Sequence, residues 1–171
     1  MIPAVNLKQG EITMKLQIAM LLSAVSLMSA TPSGAADFPK QGEAEYDTFY
    51  VSQSLAKLET AAGGTGVIEE ITGITRNVKG EGPFHEMSVR CIDHWSLIGE
   101  KFNMNGSCVE TDRDGDELFT TFDNDTHTLI GGTGKYKGIT GKASFTFDAL
   151  HDANGGRMAI VVKHKVSWDM K

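Results

Sequence analysis

Two residues of this chain have the types and surroundings that proton chemistry needs. Asp93 lies in an alternating stretch, Val89 to Ile98, where every second residue is otherwise apolar or cysteine. His164 lies in Arg157 to Trp168, with Val162 and Val166 on either side at two-residue spacing. If these stretches are strands, both side chains share the parity of the buried face. An ionised carboxylate there is costly unless paired or hydrogen-bonded. A carboxyl and an imidazole meeting inside a lumen make either an acid–base couple or an anchor for a polar ligand head. The other reading is a buried structural hydrogen bond.

Other reactive arrangements fail on spacing. Gly-x-Ser-x-Gly is absent, and with it the nucleophile-elbow signature. His94 falls on the outward parity, and His127 and His151 are read near loops. No two histidines share one strand at metal-ligand spacing, so neither a metal site nor a cofactor is expected. Asp112-Arg113-Asp114-Gly115-Asp116 has its glycine fourth where a calcium loop needs it sixth, and reads as an acidic hairpin tip. Gly131 to Lys135 lacks both the Walker and the dinucleotide spacing, because Leu129, Tyr136 and Lys137 occupy required positions.

The elements that position Asp93 follow from one hairpin. Gly99-Glu100 suits a two-residue type II′ turn closed by Ile98 and Lys101. Seven steps out, the same register puts Cys91 opposite Cys108 in a non-hydrogen-bonded pair, close enough for a disulfide. Leu97–Phe102, Trp95–Met104 and Asp93–Gly106 share that face, which makes Asp93 the one carboxylate in an apolar row. Gly106 would leave space above it.

The pattern extends along the chain. Strands are expected at 46–52, 67–76, 84–98, 101–111, 117–123, 126–130, 142–149 and 157–168, with 54–62 open between strand and helical turn. Asp114-Gly115, taken as a two-residue type I′ loop, pairs Cys108 with Thr121 and Glu110 with Phe119. A loop at Asn124-Asp125 then pairs Thr121 with Thr128 and Phe119 with Ile130. Phe119 and Ile130 join the inward set. About eight antiparallel strands mean an all-β closed barrel or sandwich.

Ahead of this domain, Met14-Lys15 and the apolar run 16–30 read as a cleavable signal peptide ending at Gly34-Ala35-Ala36. Lys8-Gln9-Gly10-Glu11 fits a purine-rich ribosome-binding string, so Met14 is read as the true start. Residues 1–36 are then extension and signal peptide, and 37–171 the barrel domain. The apolar run is shorter than a membrane span. Export, to a periplasmic or secreted location, suits the disulfide. The formal net charge of −6 becomes more negative by one without residues 1–36, which argues against nucleic-acid and anionic-membrane partners.

The string Gly131–Gly141, GGTGKYKGITG, resembles the glycine-rich motif of the allene oxide cyclase and dirigent protein barrels. Gly106-Ser107-Cys108 and Asp112–Asp116 extend the resemblance to exported bacterial relatives of these barrels. It implies an eight-stranded antiparallel, calycin-like barrel that commonly forms trimers. The glycines of the string allow a tight turn between strands, and Tyr136 within it is expected to plug that end of the barrel. The resemblance carries no catalytic residue across. Three functions fit: a barrel binding a small apolar ligand in its lumen, a cofactor-free cyclase or isomerase acting on an apolar substrate, or a structural envelope protein. In the last, Trp95, Phe102, Met104, Phe119, Phe145 and Phe147 would pack the barrel solid. A lumen ligand would meet Asp93, Trp95, Met104, Phe119 and His164.

Overall fold

The computed structural model describes residues 38–171. Eight strands follow one another: β1 (Gln41–Glu59), β2 (Thr65–Asn77), β3 (Ser88–Ile98), β4 (Lys101–Thr111), β5 (Glu117–Asp123), β6 (Thr126–Gly132), β7 (Ile139–Asp152) and β8 (Arg157–Met170). Each pairs antiparallel with the next, and β8 returns to β1 through pairs such as Tyr46 with His164. The result is a closed, all-β barrel. No helix among the described residues is long and apolar enough to cross a membrane. The expected signal peptide and the start at Met14 lie outside the described residues.

The central hairpin adopts the register its turn chemistry dictates. Gly99 has φ of +62°, as the first central position of a type II′ turn requires. Ile98 pairs with Lys101, Trp95 with Met104, Asp93 with Gly106 and Cys91 with Cys108. The two cysteines form a disulfide with Cα atoms 4.0 Å apart.

The next hairpin is shifted by one residue. Asp112 N–H donates to the Asp116 carbonyl (3.0 Å) and Gly115 N–H to the Asp112 carbonyl (3.1 Å), which makes a loop of three residues with Gly115 at φ +86°. Cys108 therefore meets Thr120 and Glu110 meets Leu118. A one-residue slip exchanges the faces of a strand. Leu118, Thr120 and Phe122 point inward, while Phe119 turns to the outer wall. Asn124-Asp125 does form the following loop and Thr121 meets Thr128. A bulge after Phe119 then pairs it with Gly131 instead of Ile130, which is 56% exposed.

Two further boundaries differ from the alternation. β1 continues through the ambiguous segment as far as Glu59. Residues 84–87 are not strand, because Phe84 and Glu86 take positive φ and fold the loop under the barrel. Met87 N–H donates to Thr75 Oγ1 (3.0 Å) and Asn77 Nδ2 to the Pro83 carbonyl (2.7 Å), holding that loop in place.

Phe84 then closes the base. Its ring meets Phe38 at 5.9 Å, Tyr46 at 5.3 Å and Trp168 at 5.3 Å. Tyr136, on a short 3-10 turn (Gly134–Tyr136) between β6 and β7, joins through Phe38 at 5.0 Å and is 3% exposed. The glycine string thus sets Tyr136 as a plug in the barrel end, as its turn chemistry led one to expect. It also meets the acidic hairpin tip. Lys135 Nζ lies 2.7 Å from both Asp112 Oδ2 and Asp114 Oδ2, and Asp116 Oδ2 accepts from Lys135 N–H (3.0 Å). A Cβ on Gly134 would collide with the Asp116 carboxylate. The carboxylates that suggested calcium are held by this lysine.

A cavity at the open end of the barrel

Along β8 the inward side chains change character with depth. Ile160 and Val162 face a cavity, His164 follows, and Val166 and Trp168 belong to the plugged base. β1 repeats the order with Tyr50, Thr48 and Tyr46, and β5 with Phe122, Thr120 and Leu118. Base, polar belt and cavity are three layers of one interior.

The cavity has a volume of about 240 Å³ and opens at the end away from Phe84. Eight-stranded barrels have interiors just wide enough either to fill with side chains or to hold one small ligand. Here the upper layer is hollow. The mouth is edged by Phe102, Phe147 and Met158, each at least 37% exposed. Trp95, Met104, Phe145 and the Cys91 side of the disulfide form walls. The solid packing expected for a purely structural barrel is not what these residues do: Trp95, Phe102, Met104, Phe145 and Phe147 line an open space. Phe119 takes no part, being on the outer face; Phe122 lines the cavity in its place.

Asp93 is 3% exposed and lines the cavity. Desolvation first, and the neighbouring charge of Glu69 second, push its carboxyl up to about 7. Glu69 is its partner across β2 and β3, faces the same cavity, and accepts a hydrogen bond from Ser54 Oγ (3.2 Å). The space expected over Gly106 is occupied. A Cβ there would sit 2.5 Å from the Phe122 ring and 2.7 Å from the Ile92 carbonyl, so the glycine makes room for that ring.

Asp93 and His164 are not coupled. His164 is 2% exposed in the layer beneath the cavity, its ring stacked on Tyr46 at 4.4 Å, with Nδ1 3.5 Å from Thr48 Oγ1. Burial, then His127, holds its pKa well below the usual histidine value. The histidine that lines the cavity is His127, read from sequence as a loop neighbour. It packs on Phe122 at 5.0 Å, Phe145 at 4.9 Å and His164 at 4.8 Å, and burial lowers it to about 4. Both imidazoles are neutral at neutral pH.

Glu110 is the second buried carboxyl that the row was expected to lack. It shares the parity of Cys108, pairs with Val89, is 2% exposed, and is raised by burial to about 7. Burial first, and the charge of Glu110 second, raise the phenols of Tyr46 and Tyr50. In this belt Glu110 Oε2, Thr120 Oγ1, His127 Nδ1 and His164 Nε2 are buried without a hydrogen-bond partner, as is Asp93 Oδ1 above it.

No protein-family model matches the chain, and no curated protein matches it. Among solved structures, the barrel is similar to the pterocarpan synthase dirigent protein GePTS1. The two align over 78% of this chain and 94% of that one, with a TM-score of 0.48 and 16% identity. That is a likeness of fold.

Proposed function

We propose that this protein binds one small apolar ligand in the open end of its lumen. The observation that carries this is the hollow upper layer: about 240 Å³, walled by aromatic and aliphatic side chains, above a base that is fully packed. A dry apolar cavity of about 150 Å³ already accepts benzene, so a substituted ring fits. The disulfide supports an oxidising, periplasmic or secreted setting for that binding. A cofactor-free isomerase is the second reading. It is favoured by Asp93, a carboxyl in the cavity wall beside Glu69 that burial and that neighbour's charge raise to about 7.

The binding reading is tested by titrating tert-butylbenzene into the wild type and into Ile160→Trp, which fills the cavity from its wall. Saturable binding with a raised unfolding midpoint is expected in the wild type only. Binding that survives in Ile160→Trp, or is absent from both, defeats the proposal.

A further inference from the structure

The charge-bearing groups that face the cavity are of one sign. Glu69 on β2 and Asp93 on β3 stand side by side in its wall. Tyr50 and Ser52 on β1 and His127 on β6 also reach it, and all three are uncharged at neutral pH. β4, β5, β7 and β8 contribute only apolar side chains. No Lys or Arg among the described residues lines the cavity. A carboxylate or phosphate group on a ligand would enter without a counter-charge and beside two carboxyls, losing its hydration with nothing to replace it.

The rest of the wall is aromatic. Trp95 and Phe102 lie with ring centroids 6.2 Å apart, and Tyr50, Phe122, Phe145 and Phe147 face the same space. Aromatic faces with nearby carboxylates are the surroundings in which substituted ammonium groups are bound, through the ring quadrupole and charge attraction. We infer that the lumen ligand is an apolar cation, a positively charged nitrogen on a compact hydrocarbon body. The cation sits against Glu69 and Asp93, and the hydrocarbon fills the space toward Phe145 and Val162. This rests on the lumen being a binding site.

The probes are phenyltrimethylammonium, its uncharged isostere tert-butylbenzene, and benzenesulfonate, each titrated calorimetrically at pH 8. The proteins are the wild type, Glu69→Gln, and the Asp93→Asn/Glu69→Gln pair, each with its fold verified by circular dichroism. Phenyltrimethylammonium should bind the wild type and lose about tenfold or more in the pair, with a smaller loss in Glu69→Gln. Tert-butylbenzene should change by less than about twofold. Benzenesulfonate should not bind the wild type. In the wild type the cation's affinity should also climb from pH 6 to pH 8, as Asp93 ionises, and stay level in the pair. If the cation binds all three proteins equally, or benzenesulfonate competes with it, the inference fails. It fails equally if tert-butylbenzene binds and the cation does not; in each of these cases the lumen site itself stands provided tert-butylbenzene binds the wild type. If neither tert-butylbenzene nor the cation binds the wild type, both readings fall.

Discussion

Glu110→Gln should stabilise the barrel, and by an amount that grows with pH. Glu110 is fully buried, its Oε2 has no partner, and desolvation raises its pKa from 4.5 to about 7. Between those values the folded protein keeps a proton that the unfolded chain releases. Folding stability therefore falls as pH rises through this window. At roughly 1.4 kcal/mol per pH unit, the charge at position 110 costs about 3 kcal/mol once the pH is above 7. Below pH 4.5 the carboxyl is protonated in both states and the cost vanishes. Glutamine has nearly the same shape and no charge, so it removes the pH-dependent part. Any cost of its buried NH₂ is the same at every pH.

The wild-type profile alone would not show this. His127 is lowered from 6.5 to about 4, so the unfolded chain binds the extra proton between those values and stability rises with pH there. His164 acts in the same direction and Asp93 in that of Glu110. The contributions oppose each other between about pH 4.5 and 6.5. The difference between variant and wild type isolates Glu110. It should be measured by urea unfolding, followed by circular dichroism, at half-unit steps from pH 4.5 to 8 and constant ionic strength. The difference should climb by about 3 kcal/mol across the series, most of it between pH 5 and 7. A difference that stays level within about 0.5 kcal/mol would refute the argument, because Glu110 would then titrate alike in both states.

Two further outcomes test the frame around the site. Phe122→Ala should cost about 3–5 kcal/mol and enlarge the cavity, whereas Phe119→Ala on the outer wall should cost under about 1 kcal/mol; the reverse order, read from denaturant midpoints, would restore the two-residue turn register. Replacing Cys91 and Cys108 together by serine should lower stability by about 3 kcal/mol, and intact mass of the wild type should show no free thiol; two free thiols in freshly purified protein would contradict the pairing.

How far the sequence reveals this structure depends on whether local chemistry decides each step. The β3–β4 hairpin was legible because turn and cysteines independently demand one register, and nothing distant competes. The hairpin after it was not. Asp-Gly suits a two-residue loop, but its glycine equally serves as the left-handed third residue of a longer one. What selects the longer loop is Asp112 Oδ1, accepting from the N–H groups of Asp114 and Asp116, together with Lys135 from beyond the next two strands. That single step moved Phe119 outward and brought Phe122 into the site. His127 and Glu110 did carry a signal, since each shares parity with an inward neighbour, Leu129 and Cys108. Their polarity masked it. The hollow upper layer has no local signature, because it depends on how rings from six strands lean once the barrel is closed.

Two buried carboxyls with the same displaced pKa therefore have different meanings. Glu110 sits in the belt beneath the cavity, among groups of its own chain, and does not line the lumen. Neutralising it should raise stability and leave lumen binding untouched. Asp93 bears a similar cost at the wall of an open cavity beside Glu69. Neutralising that pair should also relieve a desolvated charge, yet abolish the preference for a cation. A buried charge whose removal brings only stability is a cost of packing a polar layer into a narrow barrel. One whose removal trades stability for lost recognition belongs to the site, as expected where binding groups are held in a strained environment. Measuring stability and binding on both sets of variants separates the two roles within one lumen.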